Sequence, residues 1–286
     1  MEFFRRIGFA LAFSPTAEFM LAETVRLRNI FLSELVLVHV GPSGAKEEQL
    51  LESLLEKVGL SVKSVKVVWK EGDPADQILK VCRQEKIDLL VAGALKRENL
   101  MQYYIGTIAR KIMRKADCSL MMITTPSAEV QPLRNVVVNA EDSPFVEEAL
   151  AAAISLGKTG DHAWIHIVRE IKLYGLAMTA TGQHSEEEYA EIRQQLLQDE
   201  IDQVEKMLAR IPHDGVKINI KMLSGKSGFE VSKFAQRKQA DWLVVGAPAR
   251  RFRLLDRLFP HDLEYIFADM PCNLLIVHPR REAHRG

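Results

Sequence analysis

Apolar residues in this chain fall into short, almost unbroken runs, separated by longer stretches in which apolar and polar positions mix. Val62 to Trp69, interrupted by Lys63, Ser64 and Lys66, reads as the third strand; Ile7 to Phe13, Leu35 to Val40, Asp88 to Gly93 and Ser119 to Thr124 are such runs. They are too short for helices and too uniformly apolar for strands with a wet face, so they predict parallel strands buried on both sides. Between them, Ser14-Pro15 supplies an N-cap and first-turn proline for a helix reaching about Ile30, with Phe19, Val25 and Leu27 along it. Ala45 to Val58 predicts a second helix, and Asp73-Pro74 repeats the cap-and-proline start ahead of Ala75 to Glu85. A loop from Ala94 to Ile105 then returns to Gly106-Thr107 and a helix ending near Lys115. Strand and helix alternate throughout, which is the signature of a parallel α/β sheet built from crossover units.

The same order is written twice. Asp88-Leu-Leu-Val-Ala-Gly93 returns as Asp241-Trp-Leu-Val-Val-Gly246, an offset of 241 − 88 = 153, and Gly72 falls on Gly225 at the same offset. Continued without a gap, that offset places Ile123 on Ile276. The first strands repeat at 143 − 14 = 129, with Ile7-Gly-Phe-Ala-Leu-Ala-Phe-Ser-Pro15 matching Val136-Val-Val-Asn-Ala-Glu-Asp-Ser-Pro144. The difference, 153 − 129 = 24 residues, is an insertion in the middle of the second copy. It predicts a longer second helix there, from about Ser185 to Arg210, after a loop from Glu170 to His184. Pro126 to Pro132 reads as the linker, giving units at 1–127 and 132–281, each long enough for its own core.

Composition narrows the function classes. Lys and Arg number 38 and Asp and Glu 38, so no basic surface calls for nucleic acid; Arg250-Arg-Phe-Arg253 is the best such cluster and reads as solvated loop. Cys82, Cys118 and Cys272 are an odd number in a long chain and read as buried thiols of a reducing compartment. The histidines have no metal-ligand spacing, and His39 and His166 read as matching strand-end residues of the two copies. No apolar stretch approaches the roughly 20 residues of a membrane span. The first residues, Met1-Glu-Phe-Phe-Arg-Arg-Ile7, lack a signal-peptide layout. The expectation is a cytoplasmic protein without membrane or metal.

In such sheets a ligand sits at the carboxyl ends of the strands where the strand order reverses. Both copies place a loop there after the fourth strand, and in copy one it ends at a glycine and a helix N-terminus, a pairing suited to anions. Copy one reads Gly93-Ala-Leu-Lys96, nine residues, Gly106-Thr107. This resembles the loop signature of the universal stress protein family, Gly-x2-Gly-x9-Gly-Ser/Thr, with Lys96 in place of the second glycine. His39-Val40, Glu71-Gly-Asp-Pro74 and Lys115-Ala-Asp-Cys-Ser-Leu120 resemble the family's flanking motifs. The likeness covers about residues 5 to 126 and 134 to 279, and the chain is similar to a tandem member.

The resemblance implies a fold: two tandem open parallel five-stranded sheets with helices on both faces, of the nucleotide-binding α-hydrolase-like kind. It implies that they pack through their fifth strands as an internal pseudo-dimer. It also implies an adenine nucleotide, ATP or AMP, in copy one, with the base at Val40 and the phosphates at Gly93, Lys96, Gly106, Thr107, Ile108 and Ala109. The family's ribose- and metal-contacting aspartate falls on Ala12, which offers no acceptor. Lys96 either obstructs the phosphates or holds them as a point charge. Copy two keeps a carboxylate, Glu141, but has Phe259-Pro260 where copy one has Gly106-Thr107, and proline removes the amide and the hydroxyl together.

The reading is therefore a regulatory, nucleotide-responsive stress protein with a degenerate second copy. The alternative is an interaction module with vestigial or differently liganded pockets, acting on an unidentified protein partner or as a homodimer of tandems. A dedicated enzyme is not expected: the related ATP-pyrophosphatase loop is absent, and Ser14 and Ser143 read as helix caps rather than nucleophiles.

Overall fold

A computed structural model of the chain describes residues 4–96, 103–104, 106–124, 126, 132–141, 145–171, 186–225, 228–247, 265–266, 268 and 270–278. The first half runs β1 (Arg6–Leu11), α1 (Ala17–Phe31), β2 (Glu34–Val40), α2 (Ala45–Lys57), β3 (Lys66–Lys70), α3 (Pro74–Gln84) and β4 (Leu89–Gly93). It continues with the two-residue strands β5 (Leu95–Lys96) and β6 (Tyr103–Tyr104), then α4 (Thr107–Lys115) and β7 (Ser119–Ile123). The second half runs β8 (Asn135–Asn139), α5 (Val146–Gly157), β9 (Trp164–Ile171), α6 (Glu186–Leu208), β10 (Lys217–Ser224), α7 (Phe229–Arg237), β11 (Trp242–Gly246) and β12 (Asn273–Val277).

Each half forms a five-stranded parallel sheet, and the two sheets join edge to edge in the order β3-β2-β1-β4-β7-β12-β11-β8-β9-β10. Every neighbouring pair in that sheet is parallel except β7 with β12, which is antiparallel. Two apolar layers result. Ile7, Phe9, Leu37 and Leu89 lie on the face that meets α1 and α2, and Val136, Val138, Ile165 and Val244 extend it beneath α5 and the buried Val204 and Leu208 of α6. Val36, Val38, Leu90 and Met122 lie on the other face with Ile78, Leu79 and Ile112 of α3 and α4. A fully buried side chain such as Phe9 or Leu37 contributes about 1.5–3 kcal/mol relative to exposure.

The seam between the halves is closed by matching polar locks. Asn273 Oδ1, at the start of β12, accepts from Thr124 N at 2.9 Å and from its hydroxyl at 3.1 Å, just beyond the end of β7. Ser119 Oγ, at the start of β7, accepts from His278 N at 3.1 Å. Within the ladder Met121 faces Leu275, flanked by Leu120 with Ile276 and Met122 with Leu274.

Those pairings correct one alignment drawn from the sequence. Leu90 pairs with Leu120, and Leu243 with Leu274, so the last strands correspond at 274 − 120 = 154 and Ile123 matches Val277, not Ile276. The faces require it: Leu120 and Leu274 share one core layer, Met121 and Leu275 the other. A slip of one residue would turn each side chain to the wrong face. At the corrected offset Met121 and Leu275 are equivalents paired with each other, so an approximate two-fold axis passes between them.

Other expectations also shift. Asp73 caps α3 as its sequence implies, accepting from Asp76 N at 3.0 Å with Pro74 in the first turn. Ser14, however, is not the cap of α1: that position falls on Thr16, and Ser14 instead turns the chain, its N–H bonded to Ala12 O at 2.8 Å and its O to Ala17 N at 3.0 Å. Val62–Ser64 forms a short 3-10 turn, so β3 begins only at Lys66. The expected loop after β4 contains a ladder, Leu95 opposite Tyr104 and Lys96 opposite Tyr103.

The repeated aspartates explain themselves structurally. Asp88 Oδ2 accepts from the N–H groups of Arg5 and Arg6, both at 3.0 Å, and Asp241 Oδ2 from Arg134 and Asn135 at 2.7 and 2.8 Å. In each half one carboxylate holds the first strand against the fourth. Gly72 and Gly225 take φ of +112° and +156° after the third strand, a conformation side chains resist.

Candidate functional site

Strand order reverses between β1 and β4, so the chain opens a cleft at their carboxyl ends. In the first half its sequence-predicted residues gather there. Val40 ends β2, Gly93 ends β4, Lys96 lies in the β5–β6 ladder that follows, and Gly106 begins α4, with Thr107, Ile108 and Ala109 in its first turn. Val40 and Ala109 pack half-buried against the same core layer as Ala10 and Ala94, two small residues that sequence reasoning did not single out. Ala12 is exposed just past β1. The described face of the cleft is thus small and apolar.

The two loop glycines are not demanded by the fold. A Cβ on Gly93 would sit 3.6 Å from the Met20 thioether, ordinary contact. Gly106 has φ −67° and ψ 169°, extended backbone open to any residue, so a left-handed conformation is not the reason for glycine there. What the glycines do provide is bare backbone, Gly93 at the end of β4 and Gly106 at the start of α4, which carries no side-chain cap and no acidic residue in its first turn. Lys111, one turn further along α4, is tied to the start of α3 through Asp73 at 3.0 Å and Asp76 at 2.8 Å, which fixes the direction of α4. Hydrogen bonds from Asp76 N–H and Lys111 hold the Asp73 carboxyl below its usual range.

Beneath the first cleft His39 is buried, with Nδ1 3.1 Å from Leu11 O. The Phe13 ring lies 4.8 Å and the Trp69 ring 5.2 Å from the imidazole, centroid to centroid, closing the core on the α1–α2 side.

The second half places different chemistry at each of these points. Strand pairing puts Ile7 beside Leu35 and Val136 beside Ile165, so β2 maps onto β9 at 165 − 35 = 130. His39 therefore corresponds to Arg169, not His166. Arg169 repeats the bond of His39: its Nη1 donates to Ala140 O at 3.3 Å, the equivalent of Leu11 O. Its Nη2 donates to Gln203 at 3.0 Å and its Nε pairs with Glu200, so a buried guanidinium anchors α6 to the sheet. His166 sits lower in β9, with Nε2 3.2 Å from Asn135 Oδ1 and Nδ1 2.9 Å from the Asn219 amide. Burial, and then the Lys238 charge, lower its pKa.

On the cleft face, Ala10, Ala12 and Val40 become Asn139, Glu141 and Glu170. Glu170 accepts from Gly228 N with both carboxylate oxygens, at 3.0 and 3.1 Å, and so caps α7. Asn139 is buried, and among the described residues its Oδ1 has no hydrogen-bond partner. Phe259-Pro260 and Arg250 to Arg253 lie outside the described residues, as does most of the loop before α6. Sequence reasoning missed Asn139, Arg169 and Glu170, although the 129 offset at the first strand already set Asn139 opposite Ala10.

Among the described residues no group of three or more His, Cys, Asp or Glu could hold a metal ion, and no helix is long and apolar enough to cross a membrane. All three cysteines are free and buried, and burial pushes the Cys272 thiol far up.

Comparison with known proteins agrees with the architecture. The chain is similar along nearly its whole length to a functionally unknown protein from Pseudomonas aeruginosa PAO1, with TM-score 0.68, 16% identity, and 97% and 94% of the two chains covered. It is similar in the same way to a universal stress protein from Archaeoglobus fulgidus DSM 4304, with TM-score 0.65, 13% identity, and 96% and 98% covered. At these identities the likeness speaks for the fold. A universal stress protein from Methanothermobacter thermautotrophicus is 34% identical over 62 residues, 22% of this chain and 42% of that relative. One from Methanocaldococcus jannaschii is 22% identical over 156 residues, 42% of this chain and 94% of that relative. The model of the universal stress protein family matches residues 41–124 and again 132–278. Matched in both halves and over most of its length, the chain belongs to the universal stress protein family.

Proposed function

We propose that the first half binds an adenine nucleotide, ATP or AMP, and that the protein is a cytoplasmic regulator of the stress response rather than a catalyst. The base lies against Val40, and the phosphates meet Gly93, Lys96, Gly106, Thr107, Ile108 and Ala109. The observation that carries this reading is the pair of glycines at 93 and 106. Neither takes a left-handed conformation, and both leave main chain bare, one at the end of β4 and the other at an uncapped helix start. The tandem is two units, 1–127 and 132–281, of which the second is a structural partner. There Glu170, at the position of Val40, presents a carboxylate that caps α7, and a carboxylate repels phosphate.

A specific observation favours a second reading, the non-nucleotide interaction module. Ala12 offers neither a ribose acceptor nor a metal ligand at the end of β1.

The test is to denature freshly purified protein, identify any released nucleotide by mass spectrometry, and titrate the stripped protein with ATP and AMP by calorimetry. One nucleotide per chain is expected, lost in Gly106→Val because the added side chain blocks backbone approach. A stoichiometry of two refutes the asymmetry of the halves. No nucleotide and no heat at millimolar ligand leaves the interaction module as the better description.

A further inference from the structure

Among the described residues, the strand ends of the second half follow the pattern of the first and invert its chemistry. Asn139, Glu141 and Glu170 occupy one face at the carboxyl ends of β8 and β9: Asn139 lies beside Val168, Glu141 two residues on from Asn139, and Glu170 two on from Val168. Val168 and the neighbouring Val245 of β11 belong to the same core layer, so Asn139 rises from an apolar floor. It is only 7% exposed, and its Oδ1 lacks a hydrogen-bond partner among the described residues. A buried amide oxygen left unpaired costs stability, and the first half shows that alanine suits the same position. The two carboxylates at the rim are engaged elsewhere, Glu170 with Gly228 N, but each carboxylate oxygen accepts more than one donor. A ligand entering this cleft therefore meets acceptors, from a buried amide oxygen at the base to negative charge at the mouth.

We propose that the second cleft binds a compact organic cation bearing N–H donors, a primary ammonium, with one N–H donated to Asn139 Oδ1 and the charge facing Glu141 and Glu170. An anion is repelled by the rim. A quaternary ammonium, which has no N–H to donate, leaves Asn139 unpaired. The assignment is independent of nucleotide binding in the first half, since it uses only residues of the second.

The experiment uses the full chain and two probes, putrescine and tetramethylammonium, the second a cation with no N–H to donate, at matched ionic strength in calorimetry and thermal melts. Putrescine is expected to bind saturably and tetramethylammonium not to. Asn139→Ala should weaken putrescine about tenfold or more, by loss of a charge-assisted bond. The same substitution should raise the Tm of the ligand-free protein by about 2–4 °C, because an unsatisfied buried polar group is removed. Glu141→Gln, a milder change that keeps the side-chain volume, should weaken putrescine in the same direction. An equal response to both cations, a putrescine signal that does not saturate, or unchanged putrescine binding in Asn139→Ala overturns the proposal. A fall in the ligand-free Tm of Asn139→Ala also overturns it, by showing the amide to be a structural bond.

Discussion

At the end of β2 the first half has His39 and Val40; at the end of β9 the second has Arg169 and Glu170. Imidazole and guanidinium donate to the same backbone carbonyl, that of Leu11 or Ala140, yet they leave different surroundings. His39 ends its reach at Leu11 O and is packed by two aromatic rings. Arg169 has donors to spare, and recruits Glu200 and Gln203 from a helix that is 23 residues long where its counterpart has 13. The adjacent Glu170 then bonds α7. One fold thus presents small apolar residues at the strand ends of one half and charged ones at those of the other.

The comparison breaks most visibly at the ion pair. Glu200→Ala leaves the Arg169 guanidinium buried with two neutral acceptors and should destabilise the chain by about 3 kcal/mol, read from urea unfolding. A loss under about 0.5 kcal/mol would mean that Arg169 is hydrated and the halves are less different than they look. Ala12→Asp restores an acceptor at the first cleft. A charge-assisted bond of about 1.5–3 kcal/mol should tighten ATP or AMP roughly ten- to hundredfold in calorimetry. No gain in a folded variant would move the first cleft toward the interaction reading.

The seam offers a third test, in which the halves should respond alike. Asn273→Ala and Ser119→Ala remove equivalent acceptors, and each should cost about 1 kcal/mol in unfolding. Unequal losses would show that the two-fold relation is one of shape and not of energy. The smallest effect expected is in pH dependence. His166 has its pKa lowered by burial, so the unfolded chain takes up a proton that the folded one resists. Its contribution is intact above about pH 6.5 and is lost as pH falls from there toward its depressed value. His166→Gln should flatten that part of the stability profile, whereas an unchanged slope would assign acid sensitivity elsewhere.

How far the sequence reached can be judged from particular residues. Buried strands, and helix starts with a two-residue cap signature such as Asp73-Pro74, are legible because the signal is local. The repeat exposed Asp88 and Asp241 but not their task, since the N–H groups they bind lie about 80 and 106 residues earlier in the chain. Arg169 was hidden by arithmetic: the copies correspond at 129 in the first strand, 130 in the second and 154 in the last, and no single offset spans them. Ser14-Pro15 misled because a turn bonding Ser14 to Ala12 and Ala17 draws on the same residue types as a helix start. The site residues of the first half were placed together at the strand ends, whereas the polar ones of the second required knowledge of which strands pair.

The antiparallel meeting of β7 and β12 has a consequence for how such a molecule can signal. Because each half points its strand ends away from the other's, the two clefts open on opposite rims of one sheet. Their occupants cannot touch, nor can one small partner cover both. The halves join along β7 and β12, where Met121 and Leu275, two flexible or branched apolar side chains, meet on an axis that treats both halves equally. The protein is in this sense a balance with unlike pans, its fulcrum the pair of edge strands that joins the two sheets.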